Sequence, residues 1–159
     1  MMQSQVVFES DLITVYHAPV YEGVRFPVRI NDTRNTDNTI AWLTSGAGRR
    51  TDTSGNTLAQ VGEGIAPELE VEKGNYILVC DQSGDYFCCH LKQGAMTGKA
   101  FHEINPGQSV TIDCGKTVLF KGAVDVAGQS FSSTQVFTLS QPRTFTATEK
   151  AYLVCFEIA

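Results

Sequence analysis

The sequence predicts an all-β protein, and three observations lead there. Apolar residues fall in short runs, several of them alternating with polar residues at the period of a strand. Clusters rich in Gly, Pro, Asn and Asp punctuate these runs along the 159-residue chain. No long segment carries a 3.6-residue apolar period, and nine Phe and five Tyr, with many Val and Thr, favour strands over helices.

Element by element, Val6-Val7-Phe8 and Leu12 to Tyr16 read as two opening strands. Val24 to Ile30 alternates, and Pro27 confines it to an edge or a bulge because proline cannot donate to a ladder. Asn31 to Asn38 is a polar loop, Ile40 to Leu43 a strand with the sole tryptophan, and Ser45-Gly46-Ala47-Gly48 a turn. Thr57 to Val61 is a strand broken by Gly62-Glu63-Gly64. Pro67 precedes an alternating Leu69 to Glu72, and Tyr76 to Cys80 is apolar enough for burial on both faces. Gly84-Asp85 turns into Tyr86 to Leu91, and Gln93 to Lys99 is a loop with the best chance of a single helical turn. The last third is clearest. Its strands are Ser109 to Ile112, Thr117 to Phe120, Ala123 to Val126, Gln135 to Leu139, Arg143 to Ala147 and Ala151 to Ile158. Turns at Asp113-Cys114-Gly115, Lys121-Gly122, Ala127-Gly128 and Gln141-Pro142 separate them. Short strands at this spacing indicate a sandwich, jelly roll or barrel.

Length favours a single unit over residues 1–159, large enough to bury a core without staples. A net charge of −5 argues against nucleic acid as the main partner, since phosphate binding needs a basic face. Met1 to Glu9 lacks the basic start and apolar stretch of a signal peptide, and no run approaches the ~20 apolar residues of a membrane span. The expectation is a cytoplasmic protein that engages no membrane. The five cysteines (Cys80, Cys88, Cys89, Cys114 and Cys155) form no C-x-x-C pair and fit buried free thiols in a reducing compartment.

Two stretches resemble one another. Ile40 to Ala47 lies over Lys116 to Ala123 at an offset of 76, and Tyr76 to Cys80 lies over Tyr152 to Cys155 at 75 with one deletion. Ile30-Asn31 over Ile104-Asn105 extends the match. The expectation is an internal repeat of 30–80 and 104–158; the alternative is chance recurrence of turn spacing.

Asn105-Pro106-Gly107-Gln108-Ser109 opens a strand, and Thr117 to Gln129 supplies a strand ending in Gly, a short return strand and a second turn. This stretch, with the closing strands from Val136 to Ile158, resembles the cupin superfamily. The resemblance implies a cupin-like jelly-roll barrel and, with the repeat, two similar halves forming a compact tandem cupin. Metal-dependent cupins carry a His-x-His strand motif followed by Glu between the Pro-Gly turn and the glycine-ended strand. Gln108 to Lys116 contains no histidine. The resemblance therefore implies the barrel without its usual metal ligands, and no metal or cofactor is expected.

The remaining chemistry is sparse. His90, His102 and Glu103 are the candidates for a catalytic or metal site, provided the chain between them folds back. The bland alternative is surface or hydrogen-bonded histidine. Cys88 and His90 share a strand face, yet i, i+2 spacing is too long for an easy nucleophile–base bond. Arg49 and Arg50, read as part of a polar loop, could grip a carboxylate or phosphate, against the alternative of a solvated loop. Trp42 and Phe120 are candidate ligand-lining residues, packing being the commoner use of such aromatics. The reading favoured is a non-catalytic, metal-free barrel that binds a small molecule or a protein partner. Alternatives are a cupin-type isomerase or oxygenase-like enzyme with a rearranged site, and a jelly-roll subunit of an assembly, with homo-oligomerisation as one form of partnership.

Overall fold

Alternating, β-branched and aromatic segments form strands wherever the structure describes them. The computed structural model describes residues 4–30, 38–63 and 74–159, the side chains of 28–30 excepted. Within these residues all regular structure is strand. The strands are β1 (Gln5–Glu9), β2 (Ile13–Val20), β3 (Arg25–Ile30), β4 (Thr39–Thr51), β5 (Thr57–Gly62), β6 (Gly74–Leu91), β7 (Met96–Ile104), β8 (Ser109–Ile112), β9 (Thr117–Val126), β10 (Gln129–Phe131), β11 (Gln135–Thr138) and β12 (Arg143–Ile158). The expected loop at 31–38 and the alternation at 69–72 lie in or largely in the segments outside the described residues.

The chain divides into two compact units, Met1–Gly94 and Ala95–Ala159. Each unit has its own six-stranded sheet, in which all strand pairs are antiparallel. In the first, the order is β1-β2-β6-β4-β5, with β3 also paired to β6. In the second, it is β10-β9-β12-β7, with β11 paired to β9 and β8 to β12.

The two units use one pairing scheme. β6 runs beside β4 on one edge and beside β2 and then β3 on the other. β12 runs beside β9 on one edge and beside β7 and then β8 on the other. The connection from β2 to β3 is clamped by Gly23 N–H to the Cys80 carbonyl and Cys80 N–H to the Val24 carbonyl. The connection from β7 to β8 is clamped by Gly107 N–H to the Ala147 carbonyl and Ala147 N–H to the Gln108 carbonyl. The shared scheme runs over 13–91 and 96–158, wider than the sequence match. It keeps Ile40–Ala47 over Lys116–Ala123 but not Tyr76–Cys80 over Tyr152–Cys155. Cys80 pairs with Gly48, whereas Cys155 pairs with Val118. By their clamps, Cys80 corresponds to Ala147.

Several glycines that read as turns lie inside strands. Ser45–Gly48 belongs to β4 and Lys121-Gly122 to β9, and each sits at a β-bulge. Gly84-Asp85 belongs to β6. At Gly46 (φ 92°) a Cβ would lie 2.7 Å from the Gln82 carbonyl oxygen, and at Gly122 (φ 114°) one would overlap the Lys150 carbonyl. Here glycine permits a positive φ and a close backbone approach, so the strand bends without reversing. Arg143–Ala147 and Ala151–Ile158 accordingly merge into β12, and the expected loop at 93–99 gives way to β7 from Met96 onward, with no helical turn.

Burial follows the pairing. In the first unit, Val20, Leu43, Val61 and Cys80 form a cluster with Phe26 and Tyr86 against it. In the second, Phe120, Val124, Phe145, Leu153 and Cys155 anchor a core, with Phe131 and Phe137 packed at its margin.

Candidate functional site

In the first unit, the residues singled out by sequence are engaged within the sheet. Trp42 on β4 faces Phe87 on β6, the rings stacked with centroids 5.8 Å apart, and the indole is buried. Arg49 lies in β4, not in a loop, and forks onto Asp81 (Nε–Oδ2 2.8 Å, Nη2–Oδ1 2.9 Å). This bidentate pair holds the Asp81 carboxyl below the usual carboxylate range and raises the Arg49 guanidinium further. Arg50 lies over the Tyr76 ring at 5.3 Å. His90 is half-buried on β6 and pairs with Thr14 of β2 and Thr39 of β4.

A constellation the sequence does not reveal joins three strands of the same unit. His17 Nε2 meets Asp85 Oδ1 at 2.7 Å, Ser45 Oγ donates to Asp85 Oδ2 at 3.1 Å, and the imidazole packs on Phe87 at 4.8 Å. The partners are 68 and 40 residues apart, so no local spacing could signal them. Both Ser45 and His17 address the carboxylate. Without a Ser–His bond, this is not a nucleophile–base relay. It ties β2, β4 and β6 together.

In the second unit, Glu103 accepts an ion pair from Lys150 at 2.8 Å. His102 is its neighbour on β7 and points to the opposite face; burial lowers its pKa. The histidine-free stretch Gln108 to Lys116 opens on a hydroxyl ladder. Ser109 bonds Thr146 at 2.7 Å and Thr111 bonds Thr144 at 2.9 Å across β8 and β12. Among the described residues, no three His, Cys, Asp or Glu side chains group as metal donors. The described residues therefore offer no set of three protein ligands around an open position, the arrangement a catalytic metal needs.

The same unit carries a cleft of about 220 Å³ lined by Val126, Ala127, Gln129, Phe131, Phe137, Thr138, Leu139, Ser140 and Arg143. Three local features build it. The β9–β10 hairpin closes through Ala127-Gly128, both with positive φ (52° and 77°), the twist that two-residue hairpins favour. Behind it, Phe120, Phe131, Phe137 and Phe145 form a continuous ring cluster, with Phe131 edge-on to Phe137 at 5.2 Å. Leu139 is pinned to the 115–116 turn by Gly115 N–H to its carbonyl and by its own N–H to the Lys116 carbonyl, which fixes the lead into β12. Arg143, the first residue of β12, is half-buried in the cleft. Phe120 lies beneath this wall rather than on it: it is fully buried, and Phe131 and Phe137 meet the cleft instead.

No family model matches the chain, and no curated protein matches it. Solved structures do. The chain is similar to a cupin 2 conserved barrel domain protein from Leptotrichia buccalis, at 12% identity and TM-score 0.50, covering 100% of this chain and 89% of that one. It is similar to the protein YhaK from Escherichia coli, at 12% identity and TM-score 0.55, covering 99% and 94%. It is also similar to the bacterial pirin YhhW from Escherichia coli, solved in complex with nickel(II), at 11% identity and TM-score 0.51, covering 92% and 82%. At these identities the likeness concerns the fold. The fold is all-β and of the cupin-like jelly-roll type.

Proposed function

We propose that this cupin-like protein is a non-catalytic, metal-free binding protein whose small-molecule ligand occupies the cleft of the second unit. The observation that carries the reading is the cleft itself. It combines an aromatic wall, Phe131 and Phe137, with a few polar groups, Gln129, Thr138, Ser140 and Arg143. An apolar surface with a small number of placed polar groups is what small-ligand sites share. The non-catalytic reading is supported by the distribution of the other candidates: Glu103 is committed to Lys150, and Arg49 to Asp81. Five free thiols are consistent with a reducing cytoplasm as its compartment.

A fragment screen by amide and aromatic NMR on the full chain tests the reading. Hits should perturb Phe131, Phe137 and Arg143 together, and Phe137→Ala should weaken them. Hits that cluster elsewhere and are indifferent to Phe137→Ala would remove the cleft as the site.

A further inference from the structure

Resting on the cleft as the binding site, we infer that its ligand is a small carboxylate with a flat apolar body, the carboxylate held by Arg143. Arg143 lines the cleft, and among the described residues no carboxylate pairs with its guanidinium. Its protein partner is neutral. With its amide turned so that the carbonyl faces the guanidinium, Gln141 accepts from Nη2 at 2.6 Å and from Nη1 at 3.3 Å. One neutral acceptor leaves most of the five guanidinium donors unused. A half-buried cation beside an aromatic wall gains most from an anion that enters with the ligand, and the planar fork matches a carboxylate by two parallel bonds.

The rest of the cleft sets the body of the ligand. Phe131 and Phe137 meet edge to face, with their planes at 75°, and present an apolar corner suited to a flat ring. The volume, about 220 Å³, equals the share of about seven liquid waters and accommodates a ligand of roughly ten non-hydrogen atoms. A phenyl ring with a one-carbon arm and a carboxylate has that size.

The test titrates the full chain with phenylacetate and, separately, with its neutral isostere phenylacetamide, following aromatic and amide resonances of the cleft. Phenylacetate should bind roughly tenfold or more tightly than the amide, the discrimination expected of a charge-assisted fork. Arg143→Met should remove that preference while the amide binds as before. The two-probe comparison on the unmodified protein needs no variant, so it stands even if Arg143→Met fails to fold. Equal affinities, with both probes in the cleft, would overturn the carboxylate assignment and leave the cleft as the site. Binding of both probes away from Phe131 and Phe137, or no perturbation by either at millimolar concentration, would overturn the carboxylate assignment and the cleft together.

Discussion

At the scale of single residues, the cysteines divide by environment. Burial pushes the Cys155 thiol up to about 12 and raises Cys89 further, whereas Cys114 is exposed in a turn. The thiolate is the reactive form, so a thiol reagent should modify Cys114 in the native protein and reach Cys89 and Cys155 only after denaturation. Rapid native labelling of Cys155 would contradict its environment. The same burial makes stability fall at alkaline pH. The unfolded thiols ionise above about 8.5 while the folded ones stay neutral, so stability present below that pH is lost progressively toward the folded value near 12. Denaturant midpoints measured from pH 7 to pH 10 should decline, and Cys155→Val should flatten the decline. His102 acts in the other direction. Its pKa is depressed by burial, so protonation of the unfolded chain takes stability away as pH falls below about 6.5. For the His17–Asp85 bond, replacing Asp85 with Ala should cost about 1 kcal/mol, because both groups are partly exposed. A double-mutant cycle with His17→Ala measures the coupling, and additive losses would show that the bond contributes nothing.

At the scale of elements, glycine decides where a strand turns and where it only bends. Gly122→Ala must place a methyl against the Lys150 carbonyl at a φ of 114°, and should destabilise the protein by about 2–4 kcal/mol in urea melts. Gly46→Ala, at the corresponding bulge of the first unit, should behave likewise. Near-neutral variants at either position would mean that the bulges relax easily. These sites also explain which elements were legible beforehand. Alternation identified β3, because a period of two survives without knowledge of a partner, and turn signals on either side marked out β8 and the ends of β12. The turn at Ala127-Gly128 was legible because glycine leaves a local mark, whereas its short return strand β10 carried no apolar run to announce it. Gly46, Gly84 and Gly122 misled because a bulge and a turn ask the same freedom of glycine, and only the facing strand distinguishes them.

At the scale of the whole molecule, the pairings that close each sheet are remote in sequence. Ile13 pairs with Leu91, and Met96 with Ile158, so each unit joins residues near its two ends. Loop closure must precede the reward from those pairs, and refolding should take on the order of milliseconds to seconds. Stopped-flow fluorescence of Trp42, which is buried against Phe87, reports on the first unit, and a phase complete within microseconds would contradict this topology. The candidate site was the least legible part for the same reason. Phe131, Phe137 and Arg143 come from β10, β11 and β12, and His17 meets Asp85 across 68 residues. His90, His102 and Glu103 drew attention by residue type, yet Glu103 is spent on Lys150. Residue type and local periodicity belong to the chain itself, so the sequence alone determined the all-β class, the cupin-like turns of the last third and the absence of histidine from Gln108 to Lys116. Side-chain partners depend on register across distant strands. Tertiary structure alone decided the bounds of the two units and the strand pairing within each, the bulges at Gly46 and Gly122, and the meeting of an aromatic corner with Arg143.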